Sequence, residues 1–491
     1  MNSLVLVILV PVVSALLAFL FNRLRNEFSF IGAVLTLYFA LRIFLTCRTK
    51  NISYDLFYLF GTNFSLYADA FAGLFLLVLA FFGLGLVIYS FRYIRSFLPR
   101  QQNLYQFYLV ATLALANGVI LAKNFSPLLL IFLGFLALTS YGMVLLSTTG
   151  EKENNAINYI PATTLASSFL LLDVLGIYLL TRISLYWFDL SGNLIARNSL
   201  MLLGITIILS FAIIAVRQSN LINRLSFFQI SQIGYVILGI GSLSPLGIVG
   251  GMFHLLNNLI FSIGLILLAG SIIFRTKNQD LRTLGGLAGK MPFTFGSFLV
   301  ASIGIAGIPP LGGFFAQWLI FQSLLSLRSV FAHILVACAI LGSILTLISF
   351  LLVTRSIFLG PNRIKHEQTS SNHIIEVGFS MNLVPMLFAL IALTFGILVK
   401  AVPLNLFILP SLKPIFPAST LPESVKFFSR SPITVIMIGW VVVGILLFFL
   451  LCLLERQIRL RRIDENSKFR IPKSEFRIPN SKCGQQMTVK G

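Results

Sequence analysis

Polar residues recur at helical spacing in one apolar stretch, which reads GGMFHLLNNLIFSIGLILLAGS from Gly250. His254, Asn258 and Ser262 follow one another at intervals of four, so a helix would place all three on one face. Such a row can hydrogen-bond to neighbouring helices or line a hydrated path. Only His254 can bind and release a proton near neutral pH. The spacing therefore predicts either a structural contact between helices or part of a proton path.

Asp173 is a second candidate, because it lies in the middle of the apolar stretch SSFLLLDVLGIYLLTR. A carboxyl at this depth costs about 2.5–3.5 kcal/mol on membrane-insertion scales, so it needs a reason to be there. It could be kept neutral, paired with an arginine or a backbone donor, or used as a proton relay. These interpretations stay open. Other ionisable residues lie nearer the ends of apolar stretches, where side chains can reach the interface: Arg42, Asp69, Lys123, Arg182 and His333.

The sequence offers little other chemistry. His, Cys, Asp and Glu do not cluster at the spacing of metal ligands, and the four cysteines are scattered. LGGLAGKM at 284–291 lacks the spacing and the hydroxyl residue of a P-loop. We therefore predict no catalytic residue, no cofactor-binding residue, no metal site and no redox centre held by this chain alone.

The elements that must position these residues are membrane-spanning helices. Of 491 residues, 57% are hydrophobic and only 10% are charged, with a mean hydropathy of +0.94. A soluble domain cannot cover that much apolar surface, whereas helices of about 20 apolar residues cross a bilayer. We predict an all-α fold, a polytopic membrane helical bundle of about 14 transmembrane helices. The apolar stretches are 3–22, 28–47, 68–91, 104–124, 125–147, 158–184, 198–216, 227–243, 245–273, 294–310, 312–327, 331–354, 381–399 and 433–454.

Pro309 and Pro310 separate two of the shorter stretches. Two consecutive prolines remove two amide donors and clash with a continuous helix, so we expect the chain to break there. Membrane bundles tolerate such breaks where they are buried or line water. Gln317 follows the break, and we expect it to point into the bundle.

The chain divides by composition into four parts. We expect N-terminal transmembrane helices at 1–100 and a core at 101–360. C-terminal helices with a proline-rich, surface-lying connection at 400–432 follow at 361–454, and a basic, disordered tail occupies 455–491.

The net charge of +21 is carried by short basic clusters between apolar stretches. Charges that orient membrane helices are placed in this way, so we predict a lipid bilayer and no nucleic acid as the partner. The distribution of Lys and Arg over alternate connections places the N-terminus outside. We expect an integral protein of a bacterial-type cell membrane.

Several motifs resemble those of one family, the antiporter-like membrane subunits of NADH:quinone oxidoreductase (complex I), membrane-bound hydrogenases and Mrp-type cation/proton antiporters. LYADAFAGLF at 66–75 and IYSFRYI at 88–94 are similar to its third helix and exit. NRLSFFQISQIGYVIL at 223–238 resembles its "SQIGY" segment, and LGGLAGKMPFTFGSFLVASIGIAGIPPLGGFFAQWLIF at 284–321 its "GIPP" block. The resemblance covers about residues 60–360.

The resemblance implies a row of protonatable sites, but most are neutral here. The family glutamate matches Gly134, and the family's two histidines and lysine match His254, Asn258 and Ser262. Gln317 stands where many members have lysine. About two helices of family sequence are also absent, so the core is shortened.

The resemblance therefore implies a membrane subunit of a redox-driven proton (or cation) translocating complex, working with other membrane subunits and carrying no redox site of its own. The proton-path candidates are His254, Asp173, Asn258, Ser262 and Gln317. The alternative is a structural scaffold paralogue that has lost its own ion path.

Overall fold

Apolar stretches joined by short polar turns form fourteen helices in the part of the chain that the computed structural model describes, which is residues 2–59, 62–123, 126–149, 162–361, 375–413 and 416. In chain order they are α1 (Ser3–Leu20), α2 (Arg25–Cys47), α3 (Ala70–Phe97), α4 (Gln102–Leu121), α5 (Pro127–Thr149), α6 (Ala162–Trp187), α7 (Leu194–Arg217), α8 (Leu221–Gly241), α9 (Pro245–Thr276), α10 (Pro292–Ile305), α11 (Gly312–Leu325), α12 (Val330–Leu359), α13 (Phe379–Ile397) and α14 (Lys400–Leu412).

Ten of these helices are long and apolar enough to cross a membrane. The chain is therefore a helical, polytopic membrane protein, as its composition predicts. Helices α10 and α11 have 14 residues each, which is shorter than the roughly 20 residues that hydrocarbon requires. The last predicted stretch, 433–454, and the tail at 455–491 lie outside the described residues.

A β-hairpin interrupts the helical pattern between α2 and α3, so the prediction of a purely α fold is wrong in this detail. Strands β1 (Ile52–Leu59) and β2 (Thr62–Ala68) pair antiparallel. The rings of Phe57 and Phe64 stack across the strands with centroids 4.6 Å apart. Strands of seven or eight residues are shorter than the apolar runs that identify membrane spans, which is why that search missed them.

The start of the proline-rich region also differs from the surface-lying connection expected for 400–432. Its described part is helical, with π-type turns over Lys400–Ile408, and Leu404 and Leu412 are fully buried. Buried leucines at helical spacing outweigh the prolines there.

Helix α9 lies at the centre of the bundle and positions the residues considered below. It is 32 residues long, and nearly all of its side chains are buried. The helices that pack against it are α6, α8, α10, α11 and α13. Ser244 caps its first turn by accepting a hydrogen bond from the Gly247 amide at 3.1 Å, and Pro245 follows at the first helical position. A helix enclosed on every side carries its polar residues into the bundle whichever way they face.

Candidate functional site: a buried polar network around Asp173

Asp173 occupies the middle of α6 and is fully buried. It lies in a π-helical segment, Leu172–Gly176, which interrupts the α-helical pattern of this span. Such π segments are rare and frequently occur at functional sites. The carboxyl group points towards α8 and α9, where amide side chains approach it.

Two amide groups donate to the same oxygen of this carboxyl. Gln229 Nε2 of α8 lies 2.5 Å from Asp173 Oδ2, and Asn258 Nδ2 of α9 lies 3.0 Å from it. Ser262 extends the network by donating to Asn258 Oδ1 at 2.9 Å. Asn258 and Ser262 lie four residues apart on one face of α9, as their spacing predicts.

Asp173 is the one ionisable side chain among the four that form this network. Asn258, Ser262 and Gln229 can orient a proton or a water molecule but cannot hold a charge. Within the described parts of the chain, the Asp173 carboxyl forms no ion pair, and its Oδ1 atom has no hydrogen-bond partner. The arrangement therefore differs from a structural salt bridge and leaves one face of the carboxyl available.

His254 lies one helical turn before Asn258 but does not join the network around Asp173. Its side chain is buried, and its ring centroid is 5.4 Å from that of Tyr235 in α8. Neither ring nitrogen has a hydrogen-bond partner among the residues described. The hydroxyl group of Tyr235 lies 2.9 Å from Ser343 Oγ in α12, which in turn lies 3.4 Å from Gln317 Oε1. The five candidates thus fall into two sets. Asp173, Asn258 and Ser262 are joined by hydrogen bonds, whereas His254 and Gln317 share no hydrogen bond with each other among the described residues.

The double proline lies in the loop between α10, which ends at Ile305, and α11, which begins at Gly312. Gly307 in this loop has a φ of 73°, a conformation that side chains rarely adopt. Gln317 is buried one turn into α11. The break therefore lies directly before a buried polar side chain.

Asp69 and Arg182 were expected near the membrane interface, but they form a buried ion pair with each other. The guanidinium donates to both carboxyl oxygens, at 2.6 and 2.8 Å, and lies 4.2 Å from the ring centroid of Tyr186. Asp69 also caps α3 by accepting from the Ala72 amide at 2.8 Å. Opposite charges 113 residues apart in sequence neutralise each other here, so neither side chain has to reach water.

The other three residues expected at the interface, Arg42, Lys123 and His333, are exposed. Lys123 lines a cavity of about 340 Å³ together with the buried ion pair. Gly134, which the resemblance matches to the family glutamate, is exposed on α5, and a Cβ atom there would meet nothing within 4 Å. This position is therefore not part of the network around Asp173.

Gln229 and Tyr235 were not among the residues singled out from the sequence. Both lie in the segment NRLSFFQISQIGYVIL, and both are buried. Six residues correspond to about 1.7 turns of helix, so the two side chains point about 120° apart around α8. Gln229 contacts Asp173 of α6, and Tyr235 contacts Ser343 of α12. Polar residues inside an apolar helix were the signal that could have identified them.

A bundle of apolar helices with a broken helix and a buried polar network at its centre defines a helical membrane protein with an intramembrane polar site. The sequence model of the family described as "NADH:quinone oxidoreductase/Mrp antiporter, TM" matches residues 52–342, and the chain belongs to this family.

Similar proteins come from several kinds of complex. The chain is 29% identical over 208 residues to NADH-quinone oxidoreductase subunit N of Desulforudis audaxviator, covering 42% of this chain and 40% of that protein. It is 34% identical over 183 residues to formate hydrogenlyase subunit 3 of Escherichia coli, covering 34% and 29%. The matched region is thus less than half of either relative.

Among solved structures, one chain of the Mrp complex from Dietzia sp. superposes with a TM-score of 0.70 at 18% identity. The match covers 86% of this chain and 100% of that one. The fold of the family is therefore shared over most of the chain.

Proposed function

We propose that this chain is an ion-translocating membrane subunit of a redox-driven complex of the NADH:quinone oxidoreductase, hydrogenase or Mrp antiporter type, and that protons pass through Asp173. The single observation that supports this most strongly is the buried Asp173 carboxyl, which is held by Gln229 and Asn258 without an ion-pair partner among the described residues. An ionisable group inside a membrane bundle is costly and marks a functional path by default.

Within this proposal the two polar groups have different tasks. Asp173 takes up and releases the proton, while Asn258 and Ser262 orient the hydrogen bonds around it. His254 is the second titratable residue of the proposed path, and it lies one helical turn (about 5 Å) from Asn258 along α9. Tyr235, whose ring packs against that of His254, is joined through Ser343 to Gln317. Ser262 and Gln317 stand where the family resemblance implies lysines, and neither can hold a proton, so Asp173 and His254 carry the titration in this proposal.

Other membrane subunits are the proposed partners, because the two similar proteins described above are subunits of larger complexes. We further propose about 14 spans, with 433–454 as the last one, in a bacterial-type inner membrane and with the N-terminus outside. The proposed divisions are N-terminal helices at 1–100, an antiporter-like core at 101–360, C-terminal helices at 361–454 and a basic tail at 455–491.

Asp173→Asn and His254→Gln test the path, because each keeps size and hydrogen bonding but removes titration. The assay is ion uptake by inverted membrane vesicles that contain the complete complex, normalised to the amount of assembled complex. We expect Asp173→Asn to lower uptake by about a hundredfold or more, the scale on which a positioned proton-transfer group acts. Repeating the assay without sodium identifies the ion.

The matched control is Asp280→Asn, which removes a carboxylate from a connection outside the spans. It should leave uptake unchanged. If both Asp173→Asn and His254→Gln transport like the unmodified protein while assembly is intact, translocation by this chain is refuted and a scaffold role takes its place.

A further inference from the structure

A second cavity, of about 500 Å³, lies away from the Asp173 network, where α7 ends, α8 begins and α12 ends. Among the described residues that line it, none is acidic, whereas four are arginines: Arg217, Arg224, Arg282 and Arg355. The guanidinium of Arg282 bonds to Asp280 and lowers the pKa of that carboxyl, so one charge is offset by an ionised neighbour. The described part of the lining therefore carries more basic than acidic side chains.

Backbone contacts between two loops hold the walls of this cavity in place. The Leu221 amide donates to the Gln279 carbonyl at 2.9 Å, and the Leu281 amide donates to the Ser219 carbonyl at the same distance. Asn220 Nδ2 adds a side-chain bond to Gln279 Oε1 at 2.6 Å. Hydrogen bonds in both directions therefore join the loop after α7 to the loop after α9.

Arg224 is fixed inside this frame. Its Nε donates to the Ala215 carbonyl at 3.1 Å, and its NH2 group donates to the Val216 carbonyl. These carbonyls belong to the last turn of α7, where a cation is favoured by the helix dipole. Two of the five guanidinium N–H groups anchor the side chain, and the guanidinium plane remains part of the cavity wall.

The cavity also continues onto an apolar surface. Leu352 lines it and is 47% exposed, and it lies one turn before Arg355 on α12. One turn further back, Ile348 is 48% exposed, and Ile344 follows at 47%. An exposed apolar row at intervals of four runs from the cavity along a span whose length and hydropathy suit a bilayer.

We propose that this cavity binds the phosphate-bearing headgroup of an anionic phospholipid, whose acyl chains lie along the exposed row of α12. Arginine recognises phosphate oxygens with paired N–H donors. Basic pockets between helices at the end of a bundle suit lipid headgroups, because the phosphates lie at that depth. A free phosphate would use the same arginines but would gain nothing from Leu352, Ile348 and Ile344.

The test uses the purified complete complex, stripped of lipid in detergent and then supplied with phosphatidylglycerol, phosphatidylcholine or inorganic phosphate. Native mass spectrometry counts the retained lipid, and a titration gives the apparent affinity. We expect phosphatidylglycerol to be retained and phosphatidylcholine to be lost.

Arg217→Gln combined with Arg355→Gln should weaken phosphatidylglycerol binding by about 25-fold, since each basic residue near an anionic surface contributes about fivefold. The matched control is Arg23→Gln combined with Arg95→Gln, which removes two exposed arginines elsewhere, one in the connection after α1 and one in the last turn of α3. It should bind like the unmodified protein. Arg217→Lys with Arg355→Lys keeps the charge but loses the paired N–H donors, so its affinity should lie between that of the unmodified protein and that of the glutamine pair. This order separates headgroup recognition from a folding defect.

Three results would overturn the proposal. Phosphatidylcholine could bind as well as phosphatidylglycerol, which would leave the arginines without a role. The control pair could weaken binding as much as the pair in the cavity, which would indicate a diffuse charge effect. Inorganic phosphate at the lipid's own concentration could displace the lipid fully, which would assign the cavity to a free anion.

Discussion

Replacing Arg182 with methionine should destabilise the protein strongly, because it leaves Asp69 buried without its partner. Both side chains are almost inaccessible, at 7% and 3% of their exposed areas, and the guanidinium bonds to both carboxyl oxygens. Removing one member of such a pair costs about 3–5 kcal/mol, since the remaining charge is uncompensated. Loss of the contact between Arg182 and the Tyr186 ring adds about 1–2 kcal/mol.

Asp69→Asn in the same chain should recover most of this loss. Asparagine removes the unpaired charge, and it is as good an N-cap as aspartate, so the bond to the Ala72 amide at the start of α3 is kept. The double variant should therefore unfold at a higher temperature than Arg182→Met alone. This ordering separates an electrostatic cost from a simple loss of packing.

Thermal unfolding of the purified chain in detergent, followed with a thiol-reactive dye, measures both effects. The dye reports on Cys47, which is only 4% exposed and becomes reactive when the bundle opens, in a background where Cys338, Cys452 and Cys483 are replaced by serine. Asp280→Asn is the control, because its ion pair with Arg282 is exposed and should contribute nothing measurable. The reasoning fails if Arg182→Met unfolds at the same temperature as the unmodified chain, or if the double variant is less stable than Arg182→Met.

Two further predictions concern the packing around α8 and α9. Asn258→Leu removes one of the two amide donors to Asp173 and should lower the free energy of unfolding by about 1–3 kcal/mol. The same dye assay measures this loss, and an unchanged midpoint of thermal unfolding would contradict the network. Gly204→Ala would place a Cβ atom 2.9 Å from the Gly234 carbonyl oxygen and should lower the free energy of unfolding by about 1–3 kcal/mol. The control is Gly296→Ala, where a Cβ atom meets nothing within 4 Å, and it should leave the unfolding midpoint unchanged or raise it. Equal effects of the two substitutions would refute the close approach of α7 and α8.

Much of the helical architecture could be predicted because each membrane span is a continuous apolar segment of the sequence. An apolar run of about 20 residues is enough to identify a span, and a spacing of four is enough to place Asn258 beside Ser262. Short strands carry no comparable signal against an apolar background. The β-hairpin of β1 and β2 was therefore missed, and so was the helix that begins at Lys400.

The partners of the buried charges could not be predicted, because they are distant in sequence. Asp173 meets Asn258 across 85 residues and Gln229 across 56. Nothing in the spacing of one chain says which helices pack together. Taken one at a time, Asp69 and Arg182 each fit the pattern of a residue at the membrane interface. Only the contact between them in the folded bundle shows that they form an ion pair.

The most direct test of the central claim is whether the Asp173 carboxyl changes its protonation state. Infrared difference spectra of the complete complex, recorded across a pH titration in light and heavy water, report the C=O stretch of a protonated carboxylic acid. The unmodified complex should show a band that appears and disappears with pH, shifts in heavy water and is missing in Asp173→Asn. A difference spectrum in which Asp173→Asn matches the unmodified complex at every pH would contradict proton transfer through this residue.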